Sequence, residues 1–495
     1  MMSNKYILSI DQSTQGTKAL LFDKDGKVLG RSDFSHDQLI NSIGWVEHDP
    51  VQIFNNTLSA VKAVVEKTGI SKSDILCIGI TNQRETAVAW DRETGKPVCN
   101  AIVWQCARGA GICEALNTRR EFIQSRTGLP LSPYYSAAKI AWILQNVKDA
   151  KEKSEAGTLC YGNMDSWLIY NLTKTHNFKT DYSNASRTQL FNVNTLKWDE
   201  EICGLFGLNS KCLAEVCDSD AFFGETDLSG YLDTPVPIHS VMGDSHSALF
   251  SQFCHHKGMA KATYGTGSSI MMNIGIEPVF SQKGIATSLA WKRNGKAEYV
   301  LEGNINYTGA VIAWLKNDLK LIQETSEAES LAVLANPADQ TVLVPAFSGL
   351  GAPYMKNDVS AIFYGMTRTT GKAELVKAAL DSIAYQITDV VKVILEESSI
   401  ELRELKVDGG PTRNAFLMQF QSDIANLPVR VSDTEELSAA GAAYMAGSSY
   451  GFYDLKDLEE KSNGVYYLPK MEEAERSLKY QGWKKAVDML LNSTT

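Results

Sequence analysis

Short apolar runs alternate with polar turns along this chain, and two of these units share one plan. Between Tyr6 and Asp23, Ile7, Leu8 and Ile10 form one β-prone run, and Leu20, Leu21 and Phe22 form another. Asp11-Gln12-Ser13-Thr14-Gln15-Gly16-Thr17-Lys18 separates them. From Ala260 to Ile274 the plan recurs, with Gly265-Thr266-Gly267-Ser268-Ser269 as the turn. Two such hairpins predict a duplicated α/β architecture with a cleft between the halves, divided near residue 250 into domains 1–250 and 251–495. Val51 to Lys67, opened by Pro50, has Val51, Phe54, Leu58, Val61, Val64 and Val65 at helical spacing. Residues 370–397 read as a long helix whose wide apolar face packs on the second sheet. Ile75 to Thr81 is almost wholly apolar, as a strand buried on both faces should be, and Ile102 to Cys106 reads as another. Val407-Asp408 ends a strand at the tight turn Gly409-Gly410-Pro411. Ser438 to Ala443 is a helix of small residues, to which either another helix or an adenine ring can come close.

Composition narrows the function classes. The 495 residues exceed one compact core, and 44% hydrophobic with 21% charged content is that of a globular protein. A net charge of −10 argues against nucleic acid and against an anionic membrane surface as partners. No apolar stretch is long enough to span a bilayer, and no signal peptide is expected at the start. Nine cysteines, none at CxxC spacing, read as reduced thiols of a cytoplasmic protein.

The first turn offers a carboxylate, hydroxyls, a glycine and a cation. Such a tip can present N–H groups, hydroxyls and Lys18 to a phosphate, with Asp11 facing hydrated Mg²⁺; it can also be an ordinary polar hairpin. The second turn alters that balance, because two facing turns would clamp a nucleotide. Asn82-Gln83-Arg84-Glu85-Thr86 follows a buried strand, where open α/β sheets place ligand contacts. Neither GxxxxGK[ST] nor a strand-linked GxGxxG occurs. Asp-x-x-Thr-x-Gly-Thr-Lys followed by Gly-Thr-Gly resembles the actin-like, sugar-kinase and chaperone ATPase superfamily. The match sharpens with ITNQRET (80–86), NAIVWQCAR (100–108), TDYSNASRT (180–188), PAFSGLGAPY (345–354), VDGG (407–410) and FLMQFQSDI (416–424). Together with Tyr134–Trp142 and Ala361–Asp381, these resemble the glycerol kinase branch of the FGGY carbohydrate kinases over essentially the whole chain.

That resemblance implies two domains of actin-like ATPase (ribonuclease H-like) architecture and ATP-dependent phosphorylation of a primary hydroxyl on glycerol or a close polyol. It implies a phosphate cradle of Thr14, Gly16, Thr17 and Lys18 on one side and Gly265, Thr266 and Gly267 on the other. Gly309, Gly409, Gly410 and Asn414 match nucleotide positions, Asp11 the Mg²⁺ position, and Asp244 the general base. Arg84, Glu85, Tyr134, Asp244 and Ser245 would hold the alcohol, with Trp104 against its carbon chain. His246 is a rival base by its ordinary pKa alone. Relatives imply a homodimer or homotetramer. The chain departs from the branch at Lys18 (Arg there), Ala313 (Gln), Ser245 (Gln) and Ser269 (Phe). The last two cost about 2–4 kcal/mol of glycerol binding if nothing compensates. A four- or five-carbon polyol or ketose therefore stays open as substrate, as does an actin-like ATPase switch without an alcohol acceptor. Asp227 to Pro237 lacks the Gly-Gly-Lys loop that binds a sugar bisphosphate in some relatives, so no such inhibition is expected.

Overall fold

A computed structural model describes residues 5–492. The first half is built on β1 (Tyr6–Gln12), β2 (Gly16–Phe22), β3 (Val28–Ser35), β4 (Ile75–Asn82), β5 (Gly224–Thr226) and β6 (Val236–Gly243). They form one mixed sheet in the order β5-β6-β4-β1-β2-β3. β1, β4 and β6 run parallel, while β2, β3 and β5 are antiparallel to their neighbours. The second half uses β7 (Ala260–Tyr264), β8 (Ser268–Gly275), β9 (Ala286–Arg293), β10 (Lys296–Ile305), β11 (Leu405–Asp408), β12 (Val429–Ser432) and β13 (Gly464–Tyr467). Their order is β9-β10-β8-β7-β11-β12-β13. Again a hairpin (β7–β8) gains antiparallel strands on one side, two parallel strands on the other, and an antiparallel edge. The duplication expected from the two hairpins is therefore a duplication of whole sheets.

Helix α1 (Pro50–Thr68) starts where the Asp49 side chain accepts from the Val51 N–H, with Pro50 in its first turn. It buries Ile53, Ala60, Val61, Val64 and Val65. Helix α2 (Ser136–Asn146) follows the half-buried segment that carries Tyr134, helix α3 (Asp244–Ser251) follows β6 directly, and α4 (Gly309–Asn317) begins beside the second hairpin tip. Helix α5 (Lys372–Ser398) is capped by Glu374, which accepts from the Gly371 N–H at 2.8 Å. Its Val376, Leu380, Ile383, Ile387, Val390 and Ile394 are buried against the second sheet. After α6 (Ala415–Ala425), α7 (Leu437–Ser449) crosses back to the first half. There it packs on α3 and on β1, β4 and β6. This resolves the two readings of the small-residue helix: a Cβ on Gly441 would lie 1.9 Å from the Ser247 carbonyl oxygen, so the close approach is helix on helix.

One expected element is absent. Only Ala101–Ile102 pairs as strand; the chain then turns, with the Cys106 N–H donating to the Val103 carbonyl. The Trp104 N–H donates to the Thr86 hydroxyl at 3.2 Å instead of to a strand. That turn delivers the Trp104 indole to the cleft. Among the described residues no helix is long and apolar enough to cross a membrane. All nine cysteines are free thiols.

Candidate active site

A cleft of about 1060 Å³ separates the two hairpin tips, and its walls carry Thr14, Gly16, Thr17, Lys18, Gly265, Thr266 and Gly267. In the first hairpin Asp11 pairs with Lys18 and Gln12 with Thr17, so carboxylate and cation sit abreast. The tip is fixed from outside. The Trp104 Nε1–H donates to the Thr14 hydroxyl at 3.0 Å, and His36 Nε2 lies 2.8 Å from the Thr14 carbonyl oxygen. Lys18 donates to Glu436 at 2.8 Å, and Arg31 pairs with the same carboxylate.

The second tip rests on α4: the Gly309 N–H donates to the Gly265 carbonyl at 2.9 Å and the Ala310 N–H to that of Thr266 at 3.1 Å. Gly409 has φ +101°, and a Cβ there would stand 2.1 Å from the Tyr264 carbonyl oxygen, so glycine alone fits. Gly309 and Gly409 thus brace the Gly265 turn from behind. Asn414 accepts from the Leu417 N–H and caps α6, and Gly410 opens the short turn before it. None of Gly309, Gly409, Gly410 and Asn414 lines the cleft itself.

Trp104, Tyr134, Asp244, Ser245 and Ser269 complete the walls. Trp104 and Tyr134 meet edge to face at 5.6 Å, giving an aromatic surface for a carbon chain. Tyr134 is held through its carbonyl by the buried Lys139, which also donates to the carbonyls of Pro133 and Tyr135. Asp244 opens α3 with its side chain about one-third exposed, and Arg84 Nε lies 3.1 Å from its Oδ1. His246, two residues further along the helix, is fully buried. Burial, reinforced by Arg84, pulls its pKa far below the usual imidazole value, and its ring faces Ser288 at 3.3 Å. Two carboxylates line the cleft wall, Asp244 and Asp33, and Asp33 is engaged by Arg31.

Arg84 and Glu85 stand in a buried charge quartet that sequence reasoning missed. Arg84 Nη1 and Nη2 donate to the two oxygens of Glu302 at 2.8 Å each, and Nη2 reaches the Ser245 hydroxyl at 3.2 Å. Arg187 donates through Nε to Glu85 at 2.5 Å, and its Nη1 lies 3.0 Å from Glu302. Ser269 donates to Glu302 at 2.9 Å. Ser245 and Ser269, where a departure from the glycerol kinase pattern is expected, are thus both tied into this network. The missed signals were a single Glu inside the apolar run Tyr299-Val300-Leu301-Glu302 and an Arg at the end of TDYSNASRT.

Asp11 is 5% exposed. Burial, opposed by Lys18 and reinforced by Asp244 and Glu436, pushes its carboxyl up to about 7. The buried Thr17 hydroxyl has no partner among the described residues, but Thr17 pairs with Gln12 and so points to the other face of the hairpin from Asp11. A carboxylate oxygen is a hard donor, and the Asp11 side chain fits a divalent cation that keeps most of its water. Two polar hairpin turns, an oxygen donor for a cation, an aromatic wall and a carboxylate around one cleft are groups that phosphoryl transfer to an alcohol can use.

The sequence profiles of the FGGY family of carbohydrate kinases match residues 6–251 (N-terminal domain) and 260–450 (C-terminal domain), and the chain belongs to this family. It is an ATP-dependent carbohydrate kinase of glycerol kinase-like sequence. Glycerol kinase 1 of Thermotoga maritima is 48% identical over 490 residues, covering 98% of this chain and 99% of that one. The glycerol kinase of Caldanaerobacter subterraneus subsp. tengcongensis is 45% identical, with 98% of each chain covered. The Plasmodium falciparum glycerol kinase crystallised with ADP superposes with TM-score 0.93 at 38% identity, covering 99% of both chains. A xylulose kinase from Lactobacillus acidophilus shares the fold, with TM-score 0.88 at 20% identity and 99% and 98% of the two chains covered.

Proposed function

We propose that this kinase transfers the γ-phosphoryl group of ATP to a primary hydroxyl of glycerol, with Mg²⁺ as the divalent ion. The observation that carries the reading is the cleft in which Asp244, Trp104 and Tyr134 face two phosphate turns. The near-full-length likeness to glycerol kinases supports it and favours glycerol over a longer polyol, a ketose or an acceptor-free ATPase switch. Asp244 takes the proton of the attacking hydroxyl. Arg84 and Ser245 orient that hydroxyl beside it, Glu85 accepts from a further hydroxyl, and Trp104 and Tyr134 pack on the carbons. Thr14, Gly16, Thr17 and Lys18 act with Gly265, Thr266 and Gly267 to hold the phosphates. Gly309, Gly409, Gly410 and Asn414 shape the nucleotide side. Asp11 would hold the Mg²⁺ water shell, and the ion would neutralise phosphate charge. Residues 1–250 carry the alcohol side and 251–495 the nucleotide side. The enzyme works in the cytoplasm as a homodimer or homotetramer, which light scattering of the purified protein would test.

The deciding experiment measures ADP release across glycerol, erythritol, threitol, xylitol, ribitol, erythrulose, xylulose and ribulose. Glycerol is expected to give the highest kcat/KM. A longer alcohol winning by more than tenfold overturns the substrate, and equal ATP hydrolysis with no alcohol present overturns the kinase.

A further inference from the structure

We infer that Glu302 is a positioning residue of the alcohol site, supplied by the nucleotide half of the molecule. The inference rests on the kinase reading above and goes beyond it. Arg84 has five N–H groups arranged in two forks. One fork, Nη1 and Nη2, closes on the two Glu302 oxygens at 2.8 Å each. The other, Nε and Nη2, faces the Asp244 carboxylate at 3.1 Å and the Ser245 hydroxyl at 3.2 Å. A guanidinium is planar and rigid, so fixing one fork fixes the other. Glu302 therefore sets the direction in which Arg84 meets Asp244 and the reacting hydroxyl.

Three further observations show that Glu302 is itself fixed. Its side chain is wholly buried and lies on the central strand pair β8–β10. Ser269 on the neighbouring strand β8, diagonal to Glu302 and paired with Asn304, donates to it at 2.9 Å. Arg187 approaches from the first half at 3.0 Å. Arg187 in turn holds Glu85, so one carboxylate aligns both charged residues that follow β4. Burial disfavours the ionised carboxylate, but the two guanidiniums overcome it and hold its pKa well below the usual range. Glu302 touches no reacting atom; it acts through Arg84.

The test is steady-state kinetics of the full chain with glycerol and ATP varied separately. Glu302→Gln keeps the shape but cannot grip Arg84 with two charged oxygens. It is expected to raise KM for glycerol at least tenfold and lower kcat/KM for glycerol at least a hundredfold, with KM for ATP within twofold. Ser269→Ala, which removes only the hydroxyl donated to Glu302, should shift the same constants in the same direction by about threefold. Glu302→Asp should restore part of the loss. The inference is overturned if Glu302→Gln folds with unchanged glycerol constants, or if KM for ATP and for glycerol rise equally. Should Glu302→Gln not fold, Ser269→Ala alone decides: an unchanged KM for glycerol overturns it. If the wild type itself phosphorylates no alcohol, the proposed function fails first, and the wild-type trace shows that separately.

Discussion

Replacing Asp244 by Asn removes the proposed proton acceptor and little else. The amide oxygen of Asn can still face Arg84 Nε, now 3.1 Å from Oδ1, and can still accept the Ser245 N–H. The side chain is about one-third exposed, so the variant leaves no isolated buried charge and the fold should survive. General-base catalysis is worth about 10²–10⁴ in rate, or roughly 3–5 kcal/mol of transition-state stabilisation. Asp244→Asn should therefore lower kcat by two to four orders of magnitude while KM for glycerol moves less than about fivefold. Coupled ADP-release kinetics on purified protein, with a melting curve as the folding control, measures both. A folded variant whose kcat stays within tenfold of wild type would refute the assignment and return attention to another group on the cleft wall.

Three further outcomes are expected. Arg187→Met leaves the buried Glu85 without its ion-pair partner and Glu302 with Arg84 alone, a loss of about 3–5 kcal/mol. At about 1 kcal/mol/K of unfolding entropy for a chain this long, the melting temperature should drop by about 3–5 °C, and a drop under 1 °C would contradict it. Asp11, raised to about 7 by burial, binds more protons folded than unfolded, so it costs stability as pH rises from about 4 to 7. Melting curves from pH 5 to 8 without Mg²⁺ should show that decline, flattened in Asp11→Asn; parallel curves would sink the reading. Ser269→Phe should lower KM for glycerol roughly tenfold by rebuilding an apolar wall, and an increase would show that the Glu302 hydrogen bond matters more.

Both sheets were legible because their hairpins announce themselves locally. Asp11 to Lys18 and Gly265 to Ser269 sit between apolar runs whose period needs no tertiary information. Helices at Pro50–Thr68 and Lys372–Ser398 were readable for the same reason. Ile102-Val103-Trp104 looks β-prone, but the backbone at Trp104 is set by the hydrogen bond its N–H donates to the Thr86 hydroxyl, 18 residues upstream. The charge quartet was hidden differently. Arg84 and Glu302 lie 218 residues apart in sequence, and no local pattern pairs an Arg after one sheet's strand with a Glu inside another's. Motif likeness located Arg84 and Glu85 but named no partners for them.

Helix α7 gives the chain an unusual birth order. The Ser9 hydroxyl in β1 donates to the Ala439 carbonyl, 430 residues downstream. At about 5–20 residues per second, a ribosome delivers that helix roughly 20–90 s after the strand it covers. In the later part of that interval, once β6 has been made, the first sheet has β1, β4 and β6 but one face bare. Nascent chains of this kinase therefore carry an apolar surface that only the last tenth or so of translation can cover, and a stop codon just before Leu437 would leave it open permanently.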